Sequence, residues 1–236
     1  MIRIATLNIR HGGGNRVQNI VSFIHKLSPD CILLTEYRNN LAGHEISKHL
    51  FNFGYTCQSV VKEDPKVNQL KWFSRLSTFE AFVIDEVSES QEHSHRLSVL
   101  KLLDIQLIGV YFPQGLLKAP MFDFIQNKFP IFANSKSAVI GDFNTGLHWV
   151  DEAANTFKCV KNFEAMMSSG WIDAWRSRNP ESREFSWYSN KGNGFRIDHA
   201  LLSPLLNQSV QRIFYLNDTI QTKTSDHGCL VIDVLN

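Results

Sequence analysis

The stretch from Ala138 to Asn144, AVIGDFN, joins a strand candidate to an acid and an amide. Ala138 to Ile140 are apolar enough for a strand inside a sheet, and Gly141 leads directly into Asp142. Packing of a strand in the core does not require a carboxylate or an amide at its end. We therefore interpret this strand end as one wall of a polar pocket, because α/β folds place chemistry at strand tips.

The same pattern recurs at three other strand candidates, each of which has polar residues at one end. These residues are Asn8 after the apolar run that starts at Ile2, Glu36 after the run that starts at Cys31, and Ser225-Asp226-His227 before the run that starts at Cys229. If the strands share a sheet, their tips can converge in one pocket. Hard oxygen ligands together with one histidine indicate a divalent metal that acts on phosphate.

Composition excludes several classes of protein. The 236-residue chain is long enough for a large core, and 43% hydrophobic residues is typical of neither a disordered nor a membrane sequence. No apolar run approaches the roughly 20 residues of a spanning helix, and the N-terminus is predicted as a strand rather than a secretory signal. None of the four cysteines has CxxC spacing, so we expect free thiols in a reducing cytoplasm. The net charge of +1 predicts that polyanion binding depends on local patches.

The order of predicted elements favours a mixed sheet with helices packed outside. A strand, a helix over about residues 16–27 with Asn15 as candidate N-cap, and a second strand form a β-α-β opening. A later run of strand candidates favours antiparallel pairing over a purely parallel sheet. Strands are expected at about 54–61, 79–87, 96–103, 105–112, 138–140, 195–202, 208–216 and 228–234, and further helices at about 41–50, 119–133 and 160–169. We found no repeat or linker, so we expect one domain over residues 1–236, as a monomer.

Five motifs occur in one order along the chain: Asn8, Leu-Leu-Thr-Glu ending at Glu36, Gly141-Asp142-Phe143-Asn144, Arg196-Ile197-Asp198 and Ser225-Asp226-His227. In that order and spacing the chain resembles the endonuclease/exonuclease/phosphatase superfamily. The stretches YFPQG from Tyr111 and WIDAWR from Trp171 are similar to the exonuclease III branch of AP endonucleases, as are Asn179-Pro180 and Phe185-Ser186-Trp187. The resemblance is weak only from about residue 40 to residue 95. It implies a DNase I-like four-layer α/β sandwich, with two mixed sheets and helices on the outside.

This resemblance implies Mg²⁺-dependent hydrolysis of phosphodiesters in DNA, with Mn²⁺ as an alternative cation. Glu36 is the first candidate metal ligand, with Asn8 beside it and Asp226 as a further carboxylate. A bound Mg²⁺ would neutralise charge on the phosphodiester and position a water.

The catalytic roles are carried over residue by residue. His227 is expected to contact the scissile phosphate and to be oriented by Asp198. Asp142 would activate the water or serve the leaving group. Asn144 and Tyr111 would bind phosphate oxygens. His199, which follows Asp198, is expected to point to the other face of its strand as a core residue.

Six more residues are predicted to bind substrate. Trp187 and Phe195 flank the loop that lines the abasic-sugar pocket in the resembling nucleases, and the others lie near the inferred mouth of the site. The predicted substrate-binding residues are Arg10, Arg38, Gln114, Trp187, Phe195 and Arg196. For Trp171 and Trp175 we expect core packing instead.

Two departures from the family pattern concern the substrate rather than the reaction. Thr35-Glu36-Tyr37-Arg38 stands where the family has Gln-Glu-Thr-Lys, and residues 68–75 replace a glycine-led strand. Abasic-site repair is the specific expectation, as an endonuclease, a 3′-exonuclease or both. The alternatives are RNA, inositol phosphates or phospholipid as substrate, and a non-catalytic nucleic-acid-binding module. DNA is the expected partner, and no membrane partner is expected.

Overall fold

Two mixed six-stranded sheets form the centre of the molecule in the computed structural model, which describes residues 1–77, 79–83, 94–131 and 135–235. The strands are β1 (Ile2–Asn8), β2 (Cys31–Tyr37), β3 (Cys57–Gln58), β4 (Gln69–Ser74), β5 (Phe79–Val83), β6 (Leu97–Leu102), β7 (Ile105–Tyr111), β8 (Lys136–Asp142), β9 (Ile172–Asp173), β10 (Trp187–Tyr188), β11 (Gly194–Phe195), β12 (Asp198–Leu202), β13 (Val210–Leu216) and β14 (Cys229–Val234). The helices are α1 (Val17–Leu27), α2 (Leu41–Asn52), α3 (Ala119–Lys128), α4 (Val160–Ser168), α5 (Pro204–Gln208) and α6 (Asp218–Gln221).

Both sheets have the same local design around one parallel pair. The first sheet has the order β13-β14-β1-β2-β4-β3, and the second has the order β5-β6-β7-β8-β12-β9. In the first, β1 and β2 are parallel and β14 is antiparallel to β1. In the second, β7 and β8 are parallel and β12 is antiparallel to β8. The ends of β1, β2, β7 and β8 therefore lie at the same edge as the starts of β12 and β14.

A buried apolar layer holds the two sheets together. It combines side chains of the first sheet, such as Leu33 and Trp72, with side chains of the second, such as Leu107 and Ile140. At Gly109 the sheets approach so closely that a Cβ atom would lie 2.9 Å from the Trp72 ring. This position therefore favours glycine for lack of space.

Helices cover both outer faces and complete four layers. The apolar face of α1, which includes Ile20 and Ile24, packs with α2 on the first sheet. Helices α3 and α4 pack on the second sheet through residues such as Phe122 and Phe163. The predicted four-layer α/β sandwich is thus confirmed, because each sheet buries one face on the other sheet and one on helices.

Several predicted boundaries were wrong. The strand expected over residues 54–61 is only Cys57–Gln58, and Asn15 lies in a short 3₁₀ helix, Gly14–Arg16, whose residues make no side-chain cap. The strand expected over 195–202 begins at Asp198, since Phe195 belongs to the small β10–β11 hairpin. The parts of the predicted elements at residues 84–87 and 132–133 lie outside the described residues.

Two other sequence-based expectations can be compared with the described residues. Cys31 and Cys229 are free and buried inside strands, as a small apolar side chain would be. In the part of the chain that the structure describes, no helix is both long enough and apolar enough to cross a membrane.

Candidate active site

His227 and Asp198 form a buried pair where the two sheets meet. Asp198 begins β12 in the second sheet, and His227 lies two residues before β14 in the first. The Nδ1 atom of His227 is 2.8 Å from Oδ2 of Asp198, and both residues are at least 95% buried. The carbonyl of His227 also accepts a hydrogen bond from Thr219. The imidazole is therefore fixed, and its Nε2 atom remains for a substrate.

The surroundings of His227 favour the charged imidazolium. Burial alone would lower its pKa, but the charge and hydrogen bond of Asp198 raise it, and Asp142 and Asp226 add to this effect. The net result raises the pKa of His227 to about 9. At neutral pH the ring therefore carries a positive charge. It forms the floor of the site together with Asp198, Asp142, Asn8 and Glu36.

Asp142 lies at the end of β8, directly opposite Asp198 in the sheet register. Gly141 precedes it with φ +139°, and a Cβ atom there would lie 2.1 Å from the carbonyl oxygen of Val110, so only glycine fits. Oδ1 of Asp142 accepts the backbone N–H of Asn144 at 2.9 Å. Burial and the nearby charge of Asp198 raise the pKa of Asp142, which makes its carboxylate a stronger base.

Asn8 connects the two sheets at this floor. Its Nδ2 atom donates to Oε1 of Glu36 at 3.1 Å and to Oδ2 of Asp142 at 3.0 Å. Its Oδ1 atom accepts the backbone N–H of Arg10 at 2.8 Å. Asn8 thus holds two carboxylates through its amide nitrogen, and its predicted role as a metal ligand stays a prediction.

Glu36 lies at a distortion near the end of β2. Its φ is +55°, and the β2–β4 register shifts between Leu34 and Tyr37. This left-handed conformation is rare for a residue with a side chain, and such strain is typical of functional positions. Oε2 of Glu36 accepts the backbone N–H of His11 at 2.7 Å and Nδ2 of Asn68 at 3.0 Å.

The acidic residues at the floor fit a divalent cation. Ligand atoms of Asp142, Asp198 and His227 lie within 4.8 Å of one another, but a charged His227 bonded to Asp198 has no lone pair for a metal. Oδ1 of Asp198 and Oδ1 of Asp226 are buried and have no hydrogen-bond partner among the described residues. Buried carboxylate oxygens without donors are costly, and a cation would satisfy them.

A cavity of about 690 Å³ opens above this floor. Tyr111, Gln114 and Asn144 line it, and their contact with substrate stays a prediction. The guanidinium of Arg96 lies 4.8 Å from the Tyr111 ring centroid, and burial is the main cause that raises the pKa of Tyr111 to about 12. Tyr111 therefore keeps its proton and can donate a hydrogen bond to an anion.

Aromatic side chains form one wall of the cavity. The rings of Trp187 and Phe195 are 5.6 Å apart, and Phe157 lies 5.6 Å from Phe195 on the other side. The Trp187 ring is also 6.5 Å from the His227 ring, so the aromatic wall borders the floor of the site. Both Trp187 and Phe195 line the cavity, which leaves their predicted contact with substrate sterically open.

Arg10 lines the cavity, whereas Arg38 is bonded to a neighbouring side chain. Arg10 is exposed, lines the cavity and has its Nε atom 3.6 Å from Oδ2 of Asp226. Arg38 instead donates from Nε to Oδ1 of Asn68 at 2.6 Å.

The prediction that Arg196 binds substrate was wrong. Its side chain is fully buried and bonded to two carboxylates, at 2.7 Å to Asp151 and 2.6 Å to Asp173. Burial disfavours the charge of Arg196, but these carboxylates raise its pKa well above the usual value. Each nitrogen of this guanidinium donates to a carboxylate and the side chain is fully buried, so it is closed to a phosphate and stabilises the fold instead.

The expected core residues were interpreted correctly. His199 is fully buried, with Nε2 2.8 Å from the carbonyl oxygen of Thr145 and its ring packed against Phe163. Trp171 and Trp175 are 3% and 5% exposed.

Sequence reasoning missed four polar residues of the site. Lys118 lines the cavity and donates from Nζ to the carbonyl oxygen of Asn144, and burial lowers its pKa to about 8. Arg96 and Lys158 also line the cavity, and Asn68 contacts Glu36. The sequence around these residues does not distinguish them from ordinary surface residues. Only Asn68 lies in a segment that departs from the family pattern, residues 68–75, and could have been singled out for that reason.

Solved structures share this fold. An AP endonuclease from Archaeoglobus fulgidus superposes with a TM-score of 0.83 at 20% identity, over 99% of both chains. A 3′-5′ exonuclease (NExo) from Neisseria meningitidis gives 0.80 at 18% identity over 99% of both chains. The 3′ phosphatase NExo from Neisseria, bound to a product DNA hairpin, gives 0.81 at 18% identity over 100% of both chains. The similarity confirms the predicted DNase I-like fold.

Family membership follows from the sequence itself. No curated protein sequence matches this chain. The model described as the Endonuclease/Exonuclease/phosphatase family matches residues 5–227, which include all the residues at the floor of the site. The chain therefore belongs to the Endonuclease/Exonuclease/phosphatase family.

Proposed function

We propose that the protein is a Mg²⁺-dependent phosphodiesterase that hydrolyses DNA, as an exonuclease III-like endonuclease, a 3′-exonuclease or both. One observation carries the proposal: the buried His227–Asp198 pair lies beside Asp142 at the floor of a cavity of about 690 Å³. A positive ring and a carboxylate of raised pKa side by side are suited to an anionic substrate that water attacks.

His227 would bind and polarise the phosphate. Its Nδ1 is bonded to Asp198, so Nε2–H can donate to a phosphate oxygen and stabilise the charge that grows there. Asp198 keeps the ring oriented and charged. Tyr111 and the side chain of Asn144 lie along the same cavity for further hydrogen bonds to phosphate.

Asp142 would take the proton of the attacking water. Its raised pKa places it closer to the working pH than an ordinary aspartate, which favours general-base catalysis. The backbone N–H of Asn144 and the amide of Asn8 hold its two oxygens in place. This fixed geometry would keep the carboxylate aimed at one position.

Glu36 and Asp226 would hold the cation. Oε1 of Glu36 has only Asn8 as a hydrogen-bond partner, and Oδ1 of Asp226 has none among the described residues. By contrast, Asp142 and His227 are already engaged in hydrogen bonds. The bound Mg²⁺, or Mn²⁺ in its place, would neutralise phosphate charge and lower the pKa of water.

Local positive charge supports a nucleic acid substrate on a nearly neutral protein. The cavity is lined by the cationic side chains of Arg10, Arg96, Lys118 and Lys158. The aromatic wall of Trp187 and Phe195 offers a surface for a base or an abasic sugar. Two proteins of the same fold are named an AP endonuclease and a 3′-5′ exonuclease, and a third was solved with a DNA hairpin. We therefore favour DNA over inositol phosphates and phospholipid.

A substrate panel tests the proposal. Purified protein is mixed with duplex DNA that is intact, nicked, recessed at its 3′ end, 3′-phosphorylated or abasic, and with matched RNA and inositol phosphates. Each substrate is measured with Mg²⁺, with Mn²⁺ and with EDTA. We expect cleavage of DNA that requires a divalent cation, with the abasic duplex as the best endonuclease substrate.

Two results would reject the proposal. Cleavage of DNA that persists in EDTA would exclude the metal-dependent mechanism. Tight DNA binding by folded protein without any cleavage would favour a non-catalytic binding module instead.

A further inference from the structure

The side-chain amide of Asn68 lies between a carboxylate and a guanidinium at the edge of the cation site. Its Oδ1 accepts from Nε of Arg38 at 2.6 Å, and its Nδ2 donates to Oε2 of Glu36 at 3.0 Å. A guanidinium has only donors and a carboxylate only acceptors, so one orientation of the amide satisfies both partners. The same Nδ2 is 3.5 Å from the hydroxyl of Tyr111.

Asn68 decides which oxygen of Glu36 is free. Oε2 accepts hydrogen bonds from Asn68 and from the backbone N–H of His11. Among the described residues Oε1 accepts only the bond from Asn8, so it keeps a lone pair for a cation. With Oε2 held in this way, the carboxylate cannot rotate to exchange its two oxygens.

Asn68 also separates two opposite charges. The stem of Arg38 lies against Gly12, where a Cβ atom would be 2.8 Å from Cβ of Arg38, so the arginine is held close to the loop beside Glu36. Nη2 of Arg38 is 3.3 Å from Nδ1 of His11, which itself lies 3.2 Å from Oε2 of Glu36. Without the amide, the guanidinium could form a charge-assisted pair with Glu36 and compete with a cation.

We propose that Asn68 is a positioning residue of the cation site, which fixes Oε2 of Glu36 and keeps Arg38 from pairing with that carboxylate. The inference rests on the proposed function, because it takes Glu36 as a ligand of the metal. Residues that hydrogen-bond to metal ligands commonly change metal affinity by about 10- to 100-fold when they are replaced.

Calorimetric titration with Mn²⁺ and Mg²⁺ tests this role without any substrate. Asn68→Ala should weaken metal binding about tenfold, because it frees both Glu36 and Arg38. Arg38→Gln alone should leave the metal affinity within about twofold, and in the Asn68→Ala background it should recover part of the loss. Asn52→Ala, an exposed asparagine at the end of α2, is the matched control.

The double variant separates positioning from structural support. A residue that only stabilised the fold would lower the melting temperature in EDTA, and removal of Arg38 would restore nothing. Metal affinity of Asn68→Ala within about twofold of the unmodified protein would overturn the inference, as would a double variant that binds no tighter than Asn68→Ala.

Glu36→Gln distinguishes failure of this inference from failure of the proposed function. If Glu36→Gln binds Mn²⁺ as tightly as the unmodified protein, Glu36 is not a ligand and the proposed cation site is wrong. If Glu36→Gln abolishes binding while Asn68→Ala does not weaken it, only the role of Asn68 is rejected.

Discussion

Two buried ionic clusters lie next to each other, because Arg196 belongs to one and Asp198 to the other. They differ in how completely their charged groups are paired. In the structural cluster, Arg196 pairs with Asp151 and Asp173. In the reactive cluster, Asp198 pairs with His227 beside Asp142. In the structural cluster every guanidinium nitrogen of Arg196 donates to a carboxylate, whereas in the reactive cluster Oδ1 of Asp198 has no donor among the described residues.

The structural cluster and the reactive cluster also differ in charge balance. A second arginine, Arg176, donates to Asp151 at 3.1 Å, so two carboxylates face two guanidinium groups in the structural cluster. In the reactive cluster two carboxylates share one imidazolium. Incomplete compensation of buried charge is costly for folding, and such sites are commonly functional. The balance of buried charge therefore separates the two clusters.

Breaking the reactive cluster should have the largest effect, and it should act on catalysis. His227→Gln or Asp198→Asn should lower kcat/KM on DNA about 10²- to 10⁴-fold, because the phosphate loses an oriented cationic donor. His44→Gln on the exposed face of α2 is the matched control, and circular dichroism checks the fold. Activity within a few fold of the unmodified protein would reject the assignment of this pair.

Breaking the structural cluster should act on stability instead. Arg196→Met leaves buried Asp173 without its arginine and Asp151 with Arg176 alone, which should lower the free energy of unfolding by about 3–5 kcal/mol. Urea denaturation measures this change, and the exposed Arg212→Met should shift it by less than about 0.5 kcal/mol. If Arg196→Met keeps full stability but loses DNA cleavage, the comparison of the clusters is wrong.

The two clusters should also titrate at opposite ends of the pH range. The pKa of His227 is about 9 in the folded protein against 6.5 ordinarily, so its stabilising contribution is complete below pH 6.5 and is lost as pH rises through 9. That loss should be on the order of 3 kcal/mol. The partners of Asp173 hold its pKa far below 3.8, so its contribution is complete above pH 3.8 and is lost as pH falls.

Unfolding in EDTA across this pH range measures both branches. The difference in unfolding free energy between the unmodified protein and His227→Gln should shrink as pH rises from 6.5 to about 9. A difference that stays constant over that window would show that His227 does not carry the raised pKa.

The smallest expected effect concerns the exposed mouth of the cavity. Arg10→Gln should weaken DNA binding by less than about tenfold and reduce the slope of log affinity against log salt by about 1. Fluorescence anisotropy in EDTA at several salt concentrations measures both quantities, with the exposed Lys48→Gln of α2 as control. An unchanged slope would exclude a phosphate contact for Arg10.

Local sequence predicted the strand tips well because an apolar run followed by a polar residue is a local pattern. Asn8, Glu36, Asp142 and His227 all lie at or near the floor for this reason. Arg196 was misinterpreted because its partners, Asp151 and Asp173, are distant in the chain and only the tertiary fold reveals them.

Other misses have a similar physical origin. Asn68 and Lys118 are defined by contacts with residues 26 or more positions away, namely Glu36 and Asn144, and no spacing in the sequence encodes these contacts. The strand expected over residues 54–61 has composition suited to a strand, but only Cys57–Gln58 pair with β4.

The position of Asn8 determines when the site can form during folding. Its single amide joins Glu36 of one sheet to Asp142 of the other, which lies 134 positions after Asn8 in the chain. Neither half of the molecule contains a complete site, and long-range contacts of this kind form late in folding. Recovery of the proposed nuclease activity after dilution from urea should therefore lag behind the return of secondary structure and report the moment at which the two sheets dock.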